Sequence, residues 1–319
     1  MLNKKKYNGA REEFSPIRNF DYEVVCGSKN AVKSVTYPSE YEIPRENTGT
    51  LKDQGYVGAC VAEVIVSIIE EWYRREFGVQ EEHSEGFYYG ANRSESSTHE
   101  GMYPTSALDY GMKNGSVPKK YFDMLVEMPD MKKLLKDYPE LYEEAKKYRI
   151  KGFTQLKGTG KVSKDTLIKE ALTKYQYGLV AIAPTSFTGG SHCIQLTGWN
   201  DAKGKYKFKN SWGASYGDNG FAEIDKEDID SVYLILFDDI KLPFDDVSED
   251  DWFYGDVINM YFAGLIKGVS ETKFDPNAPL TRAEACALMN RILKEVDARF
   301  KTQAKINRDY NKYFNNWLF

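Results

Sequence analysis

Among the four cysteines and three histidines of the chain, Cys60 occupies the position most suited to chemistry. It closes the polar, glycine-containing stretch LKDQGYVGA and opens the apolar run CVAEVIVSIIEEW. A thiol attacks a carbonyl as its thiolate, and the N-terminus of a helix favours that anion. A plainer reading competes, because free cysteines are among the most buried residues and are usually inert. Nucleophilic work also needs a histidine to exchange protons and donors to stabilise an oxyanion. His83 and His99 lie in polar, loop-like stretches, where a solvated histidine is the simpler expectation. His192 opens HCIQLTGWN, directly after TGGS.

Alternation along HCIQLTGWN puts His192, Ile194 and Leu196 on one face, and KYKFKNSW does the same for Tyr206, Phe208 and Asn210. A turn at Asp201–Gly204 folds the two strands together and brings Asn210 near His192. An asparagine carbonyl there can accept the imidazole proton and hold its tautomer. A histidine and an asparagine placed for turn and core reasons fit the same pattern, so these residues alone leave both readings open.

The elements that must position these residues follow from periodicity. Val61, Ile65, Ile68, Ile69 and Trp72 recur at helical spacing from Cys60 to Phe77, with Gly78 as the stop. YPTSALDYGMKNGSV predicts a short helix closed by glycine. MPDMKKLLKDYPELYEEAKKYR predicts a solvated surface helix pair broken at Pro139. VSKDTLIKEALTKYQYG predicts an amphipathic helix capped by Ser163 or Asp165. The period then changes to two, and LVAIAP, HCIQLTGWN, KYKFKNSW, GFAEI and VYLILF read as strands. Helices first and antiparallel strands second predict an α+β domain ending near Asp239.

Composition sets outer bounds. The 319 residues are 41% hydrophobic and 14% aromatic, enough for a sizeable core. A net charge of -5 argues against nucleic acid as the main partner. No apolar run is long enough for a membrane span. The lysines of MLNKKKYNGAREEF lack the apolar segment of a signal peptide, so export by the usual route is not expected. Four cysteines without a CxxC pair suggest neither a disulfide framework nor zinc, and no metal or cofactor is expected.

The arrangement resembles the papain family of cysteine peptidases over roughly residues 40 to 235. The resemblance rests on DQGYVGACVAE, EGMYPTSALDYGMKNGS, GGSHCIQLTGWN and KNSWGASYGDNGFAEI, in that order. It implies a two-lobed domain, one lobe helical and the other antiparallel β. It also implies Cys60 as nucleophile, His192 as its general acid/base in a thiolate–imidazolium pair, and Asn210 as the residue orienting His192. The Gln54 side chain and the Cys60 backbone N–H would form the oxyanion hole. Trp212 would cover the histidine–asparagine contact, while Gly101, Met102 and Cys193 would line the substrate site. Three departures from the family pattern are Val61 for a tryptophan, Met102 for a second glycine, and Val57 and His99 at the places of a common disulfide.

A composition shift marks a further module. FDDVSEDDWFYGDVINMYFAGLIKG and FDPNAPLTRAEA resemble an S-layer homology motif over about residues 243 to 296. This implies binding of secondary cell-wall polysaccharide of the Gram-positive type, with Arg282 and Glu284 near the ligand. Thr281 and Glu284 also sit at capping-box spacing, which explains TRAE as a helix start alone. Such modules usually come in threes, so a single one implies three chains completing a binding unit, or a docking device inside a larger assembly.

The resulting expectation is an N-terminal arm (1–39), a papain-like domain (40–239), a small α-helical S-layer homology module (240–298) and a tail (299–319). The tail would be a docking helix or a loose end. Functionally, the chain would be a thiol endopeptidase acting on peptide or protein substrates, held at the cell envelope or surface by its module. Cytoplasmic or virion-associated placement is the alternative. The competing function is a structural or wall-binding protein that keeps the papain-like domain as scaffold, with a phage or envelope assembly as its setting.

Overall fold

The computed structural model describes residues 36–78, 80–92, 101–125, 135–158, 162–183, 191–237, 242–248, 250–262 and 265–315. His99, Cys26 and most of the expected N-terminal arm lie outside them. Helix α1 runs from Cys60 to Phe77 and stops at Gly78, whose φ of 64° is left-handed. Glycine adopts that conformation without strain. The helical lobe continues with α2 (Glu85–Asn92), α3 (Pro104–Lys113) and α4 (Pro139–Ala145). The expected break falls at Pro139: the helical residues 135–136 end at a turn, and Pro139 opens α4 at its first position, where a missing N–H costs nothing. Helix α5 (Lys164–Tyr175) is capped by Ser163, whose hydroxyl accepts the Thr166 N–H.

The second lobe is an antiparallel sheet. Its strands are β1 (Glu40–Glu42), β2 (Gly152–Gln155), β3 (Leu179–Ala183), β4 (His192–Asn200), β5 (Lys205–Lys209), β6 (Phe221–Asp225) and β7 (Ser231–Leu236). They are ordered β2-β7-β3-β4-β5-β6, with β1 also on β4. β4 is central and every one of its residues is buried. Its pairing with β5 shifts between Leu196 and Gly198. A Cβ at Gly198 would sit 2.2 Å from the Tyr41 carbonyl oxygen, so only glycine lets β1 approach there.

Every residue of α1 from Cys60 to Trp72 is buried between the two lobes, glutamates included. Those glutamates need partners inside the protein. Lys52 Nζ lies 2.6 Å from both Glu70 Oε1 and Glu85 Oε1. Burial opposes its charge, but the two carboxylates outweigh burial and hold the ammonium above its usual range. Glu71 accepts the Gly178 N–H at 2.6 Å and the Gln195 side-chain amide. Lys209 donates to the Ser67 hydroxyl at 2.6 Å. Burial pushes Glu71 up to about 7 and Lys209 down to about 8, each partly countered by the other. His83, expected to be solvated, is fully buried against Tyr73 and Tyr148, and burial lowers its pKa to about 3.

The C-terminal module carries its own small core of Phe244, Val247 and Val257. Its helices are α6 (Tyr254–Phe262) and α7 (Arg282–Asn315), the latter 34 residues long. The stretch expected as a separate tail therefore continues the module's last helix. Its far end rests on the helical lobe. Ile306 is fully buried with Leu135, Tyr138 and Leu141, and the Tyr138 hydroxyl donates to Asp309 at 2.6 Å.

Glu63 generates a prediction about stability. Both of its carboxyl oxygens are buried without a hydrogen-bond partner among the described residues. Burial, reinforced by the Glu85 charge and opposed by Lys52 and Lys119, holds its pKa well above the carboxylate range. The folded chain thus keeps a proton that the unfolded chain releases near pH 4.5. The cost of burying Glu63 is absent below that pH and grows as pH rises above it. Glu63→Gln should raise unfolding free energy at pH 7 by roughly 1–3 kcal/mol and change it little at pH 4. Urea unfolding at both pH values reads this out, and an equal change at both would contradict it.

Candidate active site

Cys60 is the first residue of α1, and no side chain caps that helix end. The helix dipole therefore bears on the thiol. Cys60 is fully buried, as is Cys193 on β4. Burial first, and then the nearness of Cys60, raise the Cys193 thiol well above its usual pKa. The nucleophile candidate thus lies against the start of β4, where His192 stands.

His192 Nε2 lies 2.7 Å from Asn210 Oδ1. That oxygen also accepts the Ser211 N–H at 2.8 Å, which identifies it as the amide oxygen. His192 must therefore carry its proton on Nε2, leaving Nδ1 as the basic nitrogen. The Trp212 ring stacks on the imidazole with centroids 4.7 Å apart and planes 26° apart. Tyr216 meets Trp212 edge-on at 5.0 Å. Burial under this cover pushes His192 down to about 4, offset in part by the bond to Asn210.

Gln54 sits on a segment paired with the residues that follow Asn210. Its N–H donates to the Ser211 carbonyl at 2.9 Å, and the Gly213 N–H donates to the Lys52 carbonyl at 2.9 Å. Gly213 has φ 71°, and a Cβ there would lie 2.6 Å from Asp53 Oδ2, so the close pairing requires glycine. The Gln54 side chain donates from Nε2 to the Val57 carbonyl at 2.8 Å and accepts the Ser211 hydroxyl at 2.5 Å.

Gly101 has φ 89°, and its N–H donates to the Tyr89 hydroxyl at 3.1 Å. Met102 beside it is buried. Arg282 and Glu284, the polysaccharide candidates, lie at the exposed start of α7, far along the chain from this cluster. The capping box is formed there: Glu284 Oε2 accepts the Thr281 N–H at 2.8 Å, and Thr281 Oγ1 accepts the Glu284 N–H at 3.2 Å. Among the described residues no group of acidic, histidine or cysteine side chains is arranged to hold a metal. Sequence reasoning missed Ser211 and the buried ion pairs around α1. Ser211 adjoins Asn210, but nothing in its residue type marks it out.

An antiparallel sheet facing a helical lobe, with a thiol on the central helix and an imidazole–amide pair on the sheet, defines a papain-like α+β fold. The sequence model of the papain family of cysteine proteases matches residues 37–234, and that of the S-layer homology domain residues 243–286. The chain belongs to the papain family. Among solved structures it is similar to xylellain, a cysteine protease from Xylella fastidiosa, with TM-score 0.58 and 17% identity, covering 75% of this chain and 99% of that one. It is also similar to the digestive procathepsin L 3 of Tenebrio molitor larval midgut, with TM-score 0.51 and 15% identity over 65% of this chain and 72% of that one. Among curated proteins, the gamete and mating-type specific protein A of Dictyostelium discoideum is 35% identical over 65 residues, 20% of this chain and 14% of that protein's length.

The geometry around His192 predicts its titration. A buried imidazole gains a proton reluctantly, and the bond to the neutral Asn210 amide offsets that only in part. In Cys60→Ser, His192 should remain the neutral Nε2–H tautomer at pH 6 and titrate near pH 4, the value set by burial. Nitrogen-15 shifts of the imidazole report both tautomer and charge. A protonated ring at pH 6 in that variant would contradict burial as the controlling influence.

Proposed function

We propose that this protein is a thiol endopeptidase of the papain type, held at the cell envelope by its S-layer homology module. The observation that carries the reading is the His192–Asn210 hydrogen bond under Trp212, in a papain-family chain whose helix α1 begins with Cys60. In the proposed reaction the Cys60 sulfur attacks the scissile carbonyl carbon. Gln54 Nε2 and the Cys60 N–H stabilise the oxyanion. His192 then gives its Nδ1 proton to the leaving amine, which departs as the C–N bond breaks. Water, losing a proton to His192, attacks the thioester carbonyl; the C–S bond breaks, the carboxylic acid leaves, and the sulfur recovers its proton from His192.

Gly101, Met102 and Cys193 would line the site for the residues before the scissile bond. Val61 makes one wall smaller than a tryptophan would, and the buried Met102 side chain leaves the backbone at Gly101 less open than two glycines would. In the module, Arg282 is the residue offered to secondary cell-wall polysaccharide, because Glu284 already serves the helix cap. One module alone would act as a third of a binding unit completed by two further chains, or as a dock in a virion or envelope assembly.

The test begins with labelling. A peptide-based, thiol-directed inhibitor should modify Cys60, and Cys60→Ala should abolish hydrolysis of a broad peptide library under reducing conditions. A wild-type chain that cleaves no peptide, yet binds cell-wall polysaccharide, would instead support the scaffold reading. In the same binding assay Arg282→Ala should weaken retention on the polysaccharide about tenfold, as loss of one charge-assisted contact does.

A further inference from the structure

Two neighbouring tyrosines of α2 reach the segment that would form the wall for the residues before the scissile bond. We infer that Tyr89 is a positioning residue: its hydroxyl oxygen holds the Gly101 N–H, and so gives the backbone of Gly101 and Met102 one shape for an incoming peptide. This rests on the peptidase reading and names what fixes one wall of its substrate site.

Gly101 has φ 89°, in a left-handed region that glycine enters and leaves without strain. Its residue type alone therefore does not fix the turn. Its buried N–H donates to the Tyr89 hydroxyl at 3.1 Å, across 12 positions of sequence. Met102 then places its side chain in the same core as the Tyr89 ring, at 5% and 1% exposure. Pro104 opens α3 two residues later. Within α3 the Ala107 carbonyl accepts the Tyr88 hydroxyl at 2.7 Å. One tyrosine thus fixes α3 by donating, and the other fixes the glycine ahead of it by accepting.

The helix that carries both tyrosines is itself tied to the loop before Cys60. Glu85 stands one turn before Tyr89, on the same face of α2. Lys52 Nζ lies 2.6 Å from the Glu85 carboxylate, and Lys52 is two residues ahead of Gln54. One face of α2 therefore joins the loop that leads to Cys60 with the turn at Gly101. A buried N–H that loses its acceptor has to find water or another partner. Without the Tyr89 hydroxyl the glycine turn relaxes towards such a partner, and a peptide must reorder it on binding.

Tyr89→Phe removes the hydroxyl and keeps the ring in the core. For substrates with three residues before the scissile bond, kcat/KM should fall about tenfold, nearly all of it in KM, the effect of one lost hydrogen bond on binding. A substrate with a single residue there does not reach along the wall, and should change by less than about twofold. Alkylation of Cys60 by iodoacetamide should keep its wild-type rate and pH profile. A loss equal for both substrates, or absent from both, would overturn the inference.

A readout independent of turnover separates this inference from the peptidase reading. The Gly101 amide proton should exchange slowly in wild type and at least about tenfold faster in Tyr89→Phe. Tyr88→Phe loses an equally buried hydroxyl from the same helix. It should leave the Gly101 rate within about threefold of wild type. Equal acceleration in both variants would mean that α2 has loosened as a whole, and would overturn a specific role for Tyr89. If wild type cleaves no peptide, the peptidase reading fails while Gly101 exchange still decides whether Tyr89 holds the turn. Unchanged exchange would refute it.

Discussion

The central constraint in this protein is that its candidate nucleophile stands at the head of a helix buried on every side. Burial lets the helix N-terminus act on the thiol through a medium of low polarity, where fixed dipoles count for more. The same burial draws the polar side of α1 into the interior. Glu70 and Glu71 have no exposed face to occupy, so the surrounding loops supply Lys52 and the sheet supplies Lys209 and Gln195. Exchange of such buried pairs for apolar residues is often neutral or favourable, whereas loss of one partner is costly. Their presence here is a consequence of placing this helix between two lobes. They tie α1 to Thr50 on one side and to Gly178 on the other.

The segment from Asn210 to Gly213 is the second element on which the site depends. It leaves β5, supplies an acceptor to His192, a hydroxyl and carbonyl to Gln54, a ring over the imidazole, and an N–H to Lys52. Four consecutive residues thereby set the relation between the sheet, which carries the imidazole, and the loop that leads into α1. A displacement of this segment would move His192 and Gln54 together. The two side chains are geometrically coupled although they lie more than a hundred positions apart in sequence.

Much of this was legible in the sequence because it rests on local rules. The limits of α1, the Ser163 cap, the Thr281–Glu284 capping box and the strand at His192–Asn200 all follow from periodicity and termination signals within a few residues. The approach of Asn210 to His192 followed from alternation on two strands joined by a short turn. What escaped depends on contacts between distant segments. His83 looked solvated because its neighbours are polar, but Glu70 accepts its backbone N–H and two tyrosines enclose its ring. Helix α2, rich in tyrosine and glycine, has weak helical propensity and forms through burial against α1. Ser211 was invisible for the same reason, since its partner Gln54 is brought to it only by the fold.

The C-terminal module shows how such distant contacts alter the meaning of a domain boundary. Composition changes near residue 240, which suggests a pendant unit on a linker. Yet Ile258 of α6 belongs to the main core, and Trp72 of α1 stacks on Phe237, close to the junction, with centroids 4.5 Å apart. Beyond it α7 returns to the helical lobe, where Lys305 lies over the Tyr138 ring at 4.6 Å and donates to the Asp137 carbonyl at 3.2 Å. A unit held at both ends cannot swing freely. One continuous helix therefore joins the exposed start of α7 to the contacts with α4 and its neighbours. The module thus touches the papain-like domain at both ends, although the sequence reads as two units.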